Sequence, residues 1–188
     1  ISLIINYNFM KILRQKLNVV KQLVPFLGIC LIILSCESEK EFSSVKPINW
    51  EKRTVELTKK DTLLSGQTYL SVYSQIYSST EHRTHNLTVT VSMKNINLND
   101  SVFIEKATYF NTKGNLIRTY FSKPIFLAPL ETVEIVIDEV DKHGGTGANF
   151  VFDWKKKSTV NDPHFESIMI STSGQQGISF TSQGVKIE

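Results

Sequence analysis

The sequence predicts an all-β fold, an immunoglobulin-like sandwich of about seven to nine strands, with a small closed barrel as the alternative. Three observations carry that expectation. Apolar residues recur at every second position over short runs, which is the period of a strand with one buried face. The runs are separated by Gly-, Asn- and Pro-containing turn signals. Beyond residue 60 no stretch shows the 3.6-residue period of an amphipathic helix.

The strands follow in order. From Tyr69 to Tyr77, Leu70, Val72 and Ile76 fall on one side, and Tyr69, Ser71, Tyr73, Gln75 and Tyr77 on the other. Leu87, Val89, Val91 and Met93 alternate with Thr88, Thr90 and Ser92, the cleanest half-buried pattern in the chain. Asn95 to Asp100 is a loop rich in side chains that bond nearby backbone. Val102 to Phe110 is apolar but alternates poorly, which suggests a bulge or burial on both faces. The turn Asn111–Asn115, with Gly114 free to take positive φ, joins it to Leu116–Phe121 as a hairpin. Pro124 and Pro129 bracket a short edge segment, because proline cannot donate within a central ladder. Val133, Ile135 and Ile137 alternate, as do Phe150, Phe152 and Trp154, then Ile168 and Ile170, then Ile178 and Phe180. Lys155–Lys157 reads as a solvated turn, and no internal repeat or low-complexity tract is present.

The first 35 residues obey other rules. Met10 opens a run with Lys11, Arg14, Lys16 and Lys21 and no acid, followed by an apolar stretch from Leu23 to Leu34. Twelve residues span about 18 Å as a helix, short of the roughly 30 Å hydrocarbon core, which fits a signal peptide better than a membrane span. Ile33-Leu34-Ser35-Cys36 resembles a lipobox. The resemblance implies that Cys36 is the lipidated first residue of the mature protein. Residues 1–9 are expected to lie outside the translated protein, 10–35 to be the signal, 36–60 the lipidated cysteine and tether, and 61–188 a single β-sandwich domain. Glu37, Glu39 and Glu41 open a polar tether ending near Pro47. The expected address is the bacterial cell envelope, lipid-anchored to the outer membrane on its periplasmic side or at the cell surface.

Charge follows from that division. The chain carries 21 basic and 18 acidic residues, a net +3. Four of the basic residues and none of the acids precede Cys36, leaving 17 against 18, or −1. A nucleic-acid partner then has no electrostatic motive. With Cys30 in the leader, the mature chain has no thiol pair for a disulfide or a cysteine metal site.

Several segments carry a family likeness. They are Val72–Tyr77, Leu87–Ser92, Tyr109–Gly114, Leu127–Leu130, Gly144–Phe150 and Ser173–Phe180. Together they resemble a bacterial family known as domain of unknown function 3124 (DUF3124), over roughly Tyr69 to Gly184. The two glycine motifs near the C-terminus are the most specific part. Phe110-Asn111 departs from the Tyr-Asp expected there, so a site using that carboxylate would be absent here. The resemblance implies a small envelope or secreted bacterial protein and supplies no activity.

Three groups are candidate binding residues, each with a structural reading beside the functional one. Gly144, Gly145, Thr146, Gly147 and Asn149 allow backbone conformations closed to other residues and can form an anion-binding nest, or simply a tight connection into the next strand. The sequence lacks the Lys-Ser/Thr and helix of a phosphate-binding loop. Gln175 and Gln176 can read a polar ligand from a hairpin loop, or only close that loop. Tyr69, Tyr73 and Tyr77 form either a contact stripe for glycan or protein, or an inner face. His82, His85, His143 and His164 read as loop residues. His82 and His85 with Asp138 and Asp141 could in principle ligate zinc, without the spacing of a known site. No catalytic residue, metal or cofactor is expected. The function expected is a non-catalytic envelope or structural module contacting a glycan, peptide or envelope protein through its loops, held to the membrane by its lipid. The alternative is a small hydrolase or metal-dependent enzyme with its site at the glycine loops.

Overall fold

Alternation sends one side of each strand inward, and two faces of this kind close on each other. The computed structural model describes residues 48–58, 62–172 and 177–188; Cys36, Gln175 and Gln176 lie outside the described residues. A 3-10 helix at Trp50–Arg53 precedes twelve strands. They are β1 (Leu63–Val72), β2 (Gln75–Ser78), β3 (Thr80–Asn86), β4 (Thr88–Lys94), β5 (Val102–Phe110), β6 (Leu116–Thr119), β7 (Ile125–Leu127), β8 (Thr132–Ile137), β9 (Ala148–Lys157), β10 (His164–Ser171), β11 (Ile178–Gln183) and β12 (Val185–Lys186). The six-stranded sheet runs β12-β1-β9-β5-β6, with β7 also on β5; the four-stranded sheet runs β11-β10-β4-β8. All pairings are antiparallel and neither sheet closes on itself, so the described residues form an all-β sandwich rather than a closed barrel.

The core lies between the sheets. Leu70, Val72, Val89, Val91, Met93, Ile104, Phe150, Phe152 and Trp154 are buried, and Phe152 stacks on Phe165 at 4.3 Å across the sheets. Trp154 donates its indole N–H to Thr68 Oγ1 at 2.9 Å and lies over Gly66, where a Cβ would sit 2.3 Å from the ring. Gly66 therefore holds a strand position because the aromatic ring occupies the side-chain space. The expected bulge in β5 falls between Ile104 and Lys106, and Gly114 has φ +77°.

Four expectations need correction. Tyr69–Tyr77 is not one strand: the chain breaks at Tyr73-Ser74, so Tyr69 lies on β1 and Tyr77 on β2, in a separate two-stranded sheet with β3. Ile168 and Ile170 face away from the core, whereas Phe165, Ser167, Met169 and Ser171 face in. The two serines are tolerated inside because Ser167 donates to Ser71 O and Ser171 bonds the His85 ring, both at 2.9 Å. His82 and His85 are in strand β3, not a loop, and His164 opens β10. Lys155, Lys156 and Lys157 end β9 rather than forming a turn, paired with Glu105, Asp162 and Asp100 at 2.8, 3.0 and 2.6 Å.

Strand register defines two ends. Val72, Phe110 and Ala148 mark one, with Ile137, Ser171 and Ile178 of the second sheet joined to it by the β8–β9 connection and the β2–β3 hairpin. Leu63, Val102, Leu127 and Lys157 mark the other, with Lys94 and His164. We call them the glycine end and the asparagine end.

Candidate functional site

At the glycine end the chain between β8 and β9 turns through Gly144–Gly147. Gly145 has φ +73°, a conformation that a side chain disfavours. Gly144 is glycine for another reason: a Cβ there would lie 2.0 Å from the Tyr109 hydroxyl and 2.7 Å from Ser74 Oγ. Thr112 holds the loop from the neighbouring hairpin. Its hydroxyl donates to Gly144 O and accepts from Gly147 N–H, both at 3.0 Å, while its own N–H donates to Gly144 O. Gly145 N–H donates to Lys142 O at 3.1 Å. Two of the loop's N–H groups are thus engaged within the protein, so the loop does not present a run of free donors. Asn149 belongs to β9, opposite Ser71 and Phe110.

The same β8–β9 connection carries a buried polar network. The Asp141 carboxylate has no exposed surface; it accepts from Arg118 Nη2 at 3.3 Å, from His143 N–H at 3.1 Å and bonds His143 Nδ1 at 2.8 Å. A buried carboxylate requires such partners, since leaving it unpaired would cost several kcal/mol (about 3–5). Arg118 also donates to the Tyr120 hydroxyl at 3.3 Å, and its guanidinium lies over that ring. Burial raises the Tyr120 phenol above its ordinary range, with Arg118 opposing. The Tyr109 hydroxyl is buried against Ser74 without a hydrogen bond of ordinary geometry, and burial drives its ionisation well upward. Tyr109, Phe150 and Phe152 stack in succession, which fixes where that hydroxyl points. His143 remains 66% exposed, so an inner carboxylate holds an outward imidazole.

The β2–β3 hairpin projects beside this network. Gln75 N–H donates to Gly145 O at 3.1 Å and Ser74 Oγ to the same carbonyl at 3.3 Å, so the hairpin base and the glycine loop are stitched together. The arm is mostly exposed, Tyr77 at 63%, with Ser79 at φ +64° in its tip. Its other flank meets the second sheet through His85 and Ser171.

The structure therefore brings Gly144–Gly147, Tyr109 and the hairpin base together with Asp141, Arg118 and His143. Tyr69 is not among them; it pairs with Val151 and Val185 in the six-stranded sheet. Tyr73 packs edge-on against Phe180 at 5.9 Å. Gln175 and Gln176 belong to a connection outside the described residues, whose flanking Ser171 and Ile178 are at the glycine end. Asp141 bonds Arg118 and His143, and among the described residues no three His, Cys, Asp or Glu side chains come together as the zinc reading of His82, His85, Asp138 and Asp141 would need. Asn111, at the departing position, accepts from Lys113 and Asn115 N–H at 2.9 Å and so builds its own turn.

Residues 65–187 match the family model described as a protein of unknown function, DUF3124. The chain belongs to this family. The DUF3124 match covers every described strand apart from Leu63 and Leu64 of β1, and so contains the glycine end. No curated protein matches the chain. The crystal structure of Thermotoga maritima 1070 is similar over 64% of this chain and 92% of its own, at 7% identity and a TM-score of 0.42, too loose a likeness to carry an argument.

Proposed function

We propose that this DUF3124 chain is a lipid-anchored envelope protein whose domain binds a glycan, peptide or partner protein through its glycine end, without catalysis. The charge, length and lipobox-like end of the leader support a lipid on Cys36. The observation that carries the reading is polarity. The N-terminal segment docks toward the asparagine end, where Thr54 bridges Ile125 and Arg53 meets Glu131 at 2.8 Å. The glycine loop, the outward His143 and the projecting hairpin lie at the opposite end. A tethered module with its contact loops away from its tether can reach ligands beyond the bilayer.

The test is capture from the native envelope with the mature protein as bait, beside a panel of peptidoglycan and lipopolysaccharide fragments. Changing Tyr77 to Ser, or Gln175 and Gln176 to Ala, weakens capture, while Thr181→Ala on the outer face of the second sheet does not. Equal capture by all of these would contradict the reading. The Asp141–His143 pair favours a second reading, a hydrolase with His143 as general base. Turnover of an ester or amide substrate that is lost on His143→Gln would replace the first reading with this one.

A further inference from the structure

The asparagine end carries an apolar tip that the fold builds at some expense. Ile96, Leu98 and Leu130 are 50%, 73% and 63% exposed. Leu130 N–H donates to Asn97 O at 3.1 Å and Asn95 N–H to Glu131 O at 2.9 Å, so the two loops bearing these side chains run side by side. Leu130 has φ +57°, a conformation unfavourable for a residue with a Cβ and reserved in most loops for Gly, Asn or Asp. Nothing in the burial of Leu130 offsets that strain.

Beneath the tip the two asparagines make a closed neutral network. Asn95 Nδ2 donates to Asp100 O, Leu127 O and Ala128 O at 2.8, 3.1 and 3.0 Å, and its Oδ1 accepts from Asn97 N–H and Nδ2. Asn97 in turn exchanges bonds with the backbone of Asn161 at 2.7 and 3.1 Å. The scaffold is buried and hydrogen-bonded while the aliphatic side chains beside it stand in solvent. Such an arrangement presents apolar surface rather than hiding it.

We infer that this tip seats in the bilayer that carries the protein's own lipid. The occupant follows from the chain. Arg53 meets Glu131, the neighbour of Leu130, and this pairing holds the Glu131 carboxyl below its usual range. The chain upstream of Ile48 has 12 residues to Cys36. Extended, they reach at most ~40 Å, so the tip stays within a tether's length of the membrane. Aliphatic side chains on a rigid loop enter the headgroup–acyl boundary by ~5–10 Å, as interfacial anchors do, and a lipid anchor becomes firm when a second contact joins it. The inference rests on the lipid-anchor reading for proximity, and the experiment separates the two.

A photo-cross-linking amino acid is placed at position 98, or at exposed Lys113 of the glycine end, in the full chain within its native envelope. Phospholipids are labelled with radioactive phosphate, and intact mass is measured on the purified protein. Lipid adducts formed at 98 and not at 113 are the expected result. Absence of lipid adducts at 98, equal labelling at both positions, or adducts at 98 of protein mass, a second copy included, would overturn the inference. Acyl mass on Cys36 decides the anchor independently: lipid adducts at 98 without acyl mass would keep the tip and discard the anchor.

Discussion

The two ends of the domain solve the same problem, holding long loops over a sandwich, with different buried chemistry. At the asparagine end the buried groups are neutral amides bonded to backbone, while the ion pairs there, Arg53–Glu131 and Lys157–Asp100, stay partly exposed. The glycine end uses charge: a fully buried carboxylate shared by a half-buried arginine and an exposed histidine, next to a tyrosine hydroxyl with no hydrogen bond. A neutral closed network is insensitive to salt and pH and specifies one loop geometry. A charged network with an open member responds to its surroundings, because any acceptor that meets Arg118 or His143 competes with Asp141 for them. The contrast places the neutral network where the chain is proposed to be tethered and the charged one where it is proposed to bind.

Four substitutions sharpen or break this contrast, and the largest concerns packing. Gly144→Ala sets a methyl 2.0 Å from the Tyr109 hydroxyl and is expected to lose about 3 kcal/mol or fail to fold. Adding Tyr109→Phe should recover part of the loss, measured by chemical denaturation. If the single variant is as stable as wild type, the close approach at this end is wrong.

Asn95→Leu comes next. It keeps the size of the side chain but takes the Asn95 donor from the carbonyls of Asp100 and Leu127 and the Oδ1 acceptor from Asn97, while Ala128 O keeps the Glu131 N–H. A loss of ~3 kcal/mol is expected, the order of one or two buried unsatisfied groups, and unchanged between low and high salt. A loss that shrinks with added salt would contradict the neutral account.

Asp141→Asn removes the charge and should cost about 1–2 kcal/mol, below the ~3–5 of a fully buried pair because Arg118 is 37% exposed. Here the difference from wild type should diminish in high salt, the reverse of Asn95→Leu. Equal salt response in the two variants would remove the distinction between the ends.

Tyr109→Phe is the smallest, within ~1 kcal/mol at neutral pH, since no hydrogen bond is lost. Its signature lies in alkali. Burial holds the Tyr109 phenol protonated in the folded state beyond its unfolded value. That contribution is fully present below about pH 10 and is lost as pH rises above it, when only the unfolded chain can ionise. The wild type should therefore lose stability more steeply than Tyr109→Phe above about pH 10, followed by thermal melting across pH. Parallel curves would show the hydroxyl to be hydrated.

Much of the fold was legible because period-two burial is a local signal. The runs at Leu87–Met93, Val133–Ile137 and Phe150–Trp154 announce their inward faces directly. β10 misleads because the residues that decide it are serines: Ser167 and Ser171 go inside on hydrogen bonds to distant partners, which no periodicity reveals. The break at Tyr73-Ser74 is hidden for the same reason, since the chain leaves the sheet to bond Leu87 and Gly145. The glycine loop was visible as a composition, but its reason was not. Gly144 answers to Tyr109, 35 residues away, and Asp141 to Arg118, 23 residues away. Asn95 and Asn97 read as loop formers, and their reach across to Leu127 and Asn161 required the fold.

The central claim, that the tether end faces the bilayer and the glycine end faces away, is open to one direct measurement. A strand of ten residues such as β9 spans ~33 Å at ~3.3 Å per residue, so the ends differ widely in height above a membrane. A donor fluorophore attached through a clickable residue at position 98 or at position 77 of the full protein is paired with acceptor lipids in reconstituted vesicles. The account predicts much stronger energy transfer from 98 than from 77. Equal transfer, or stronger transfer from 77, would contradict it.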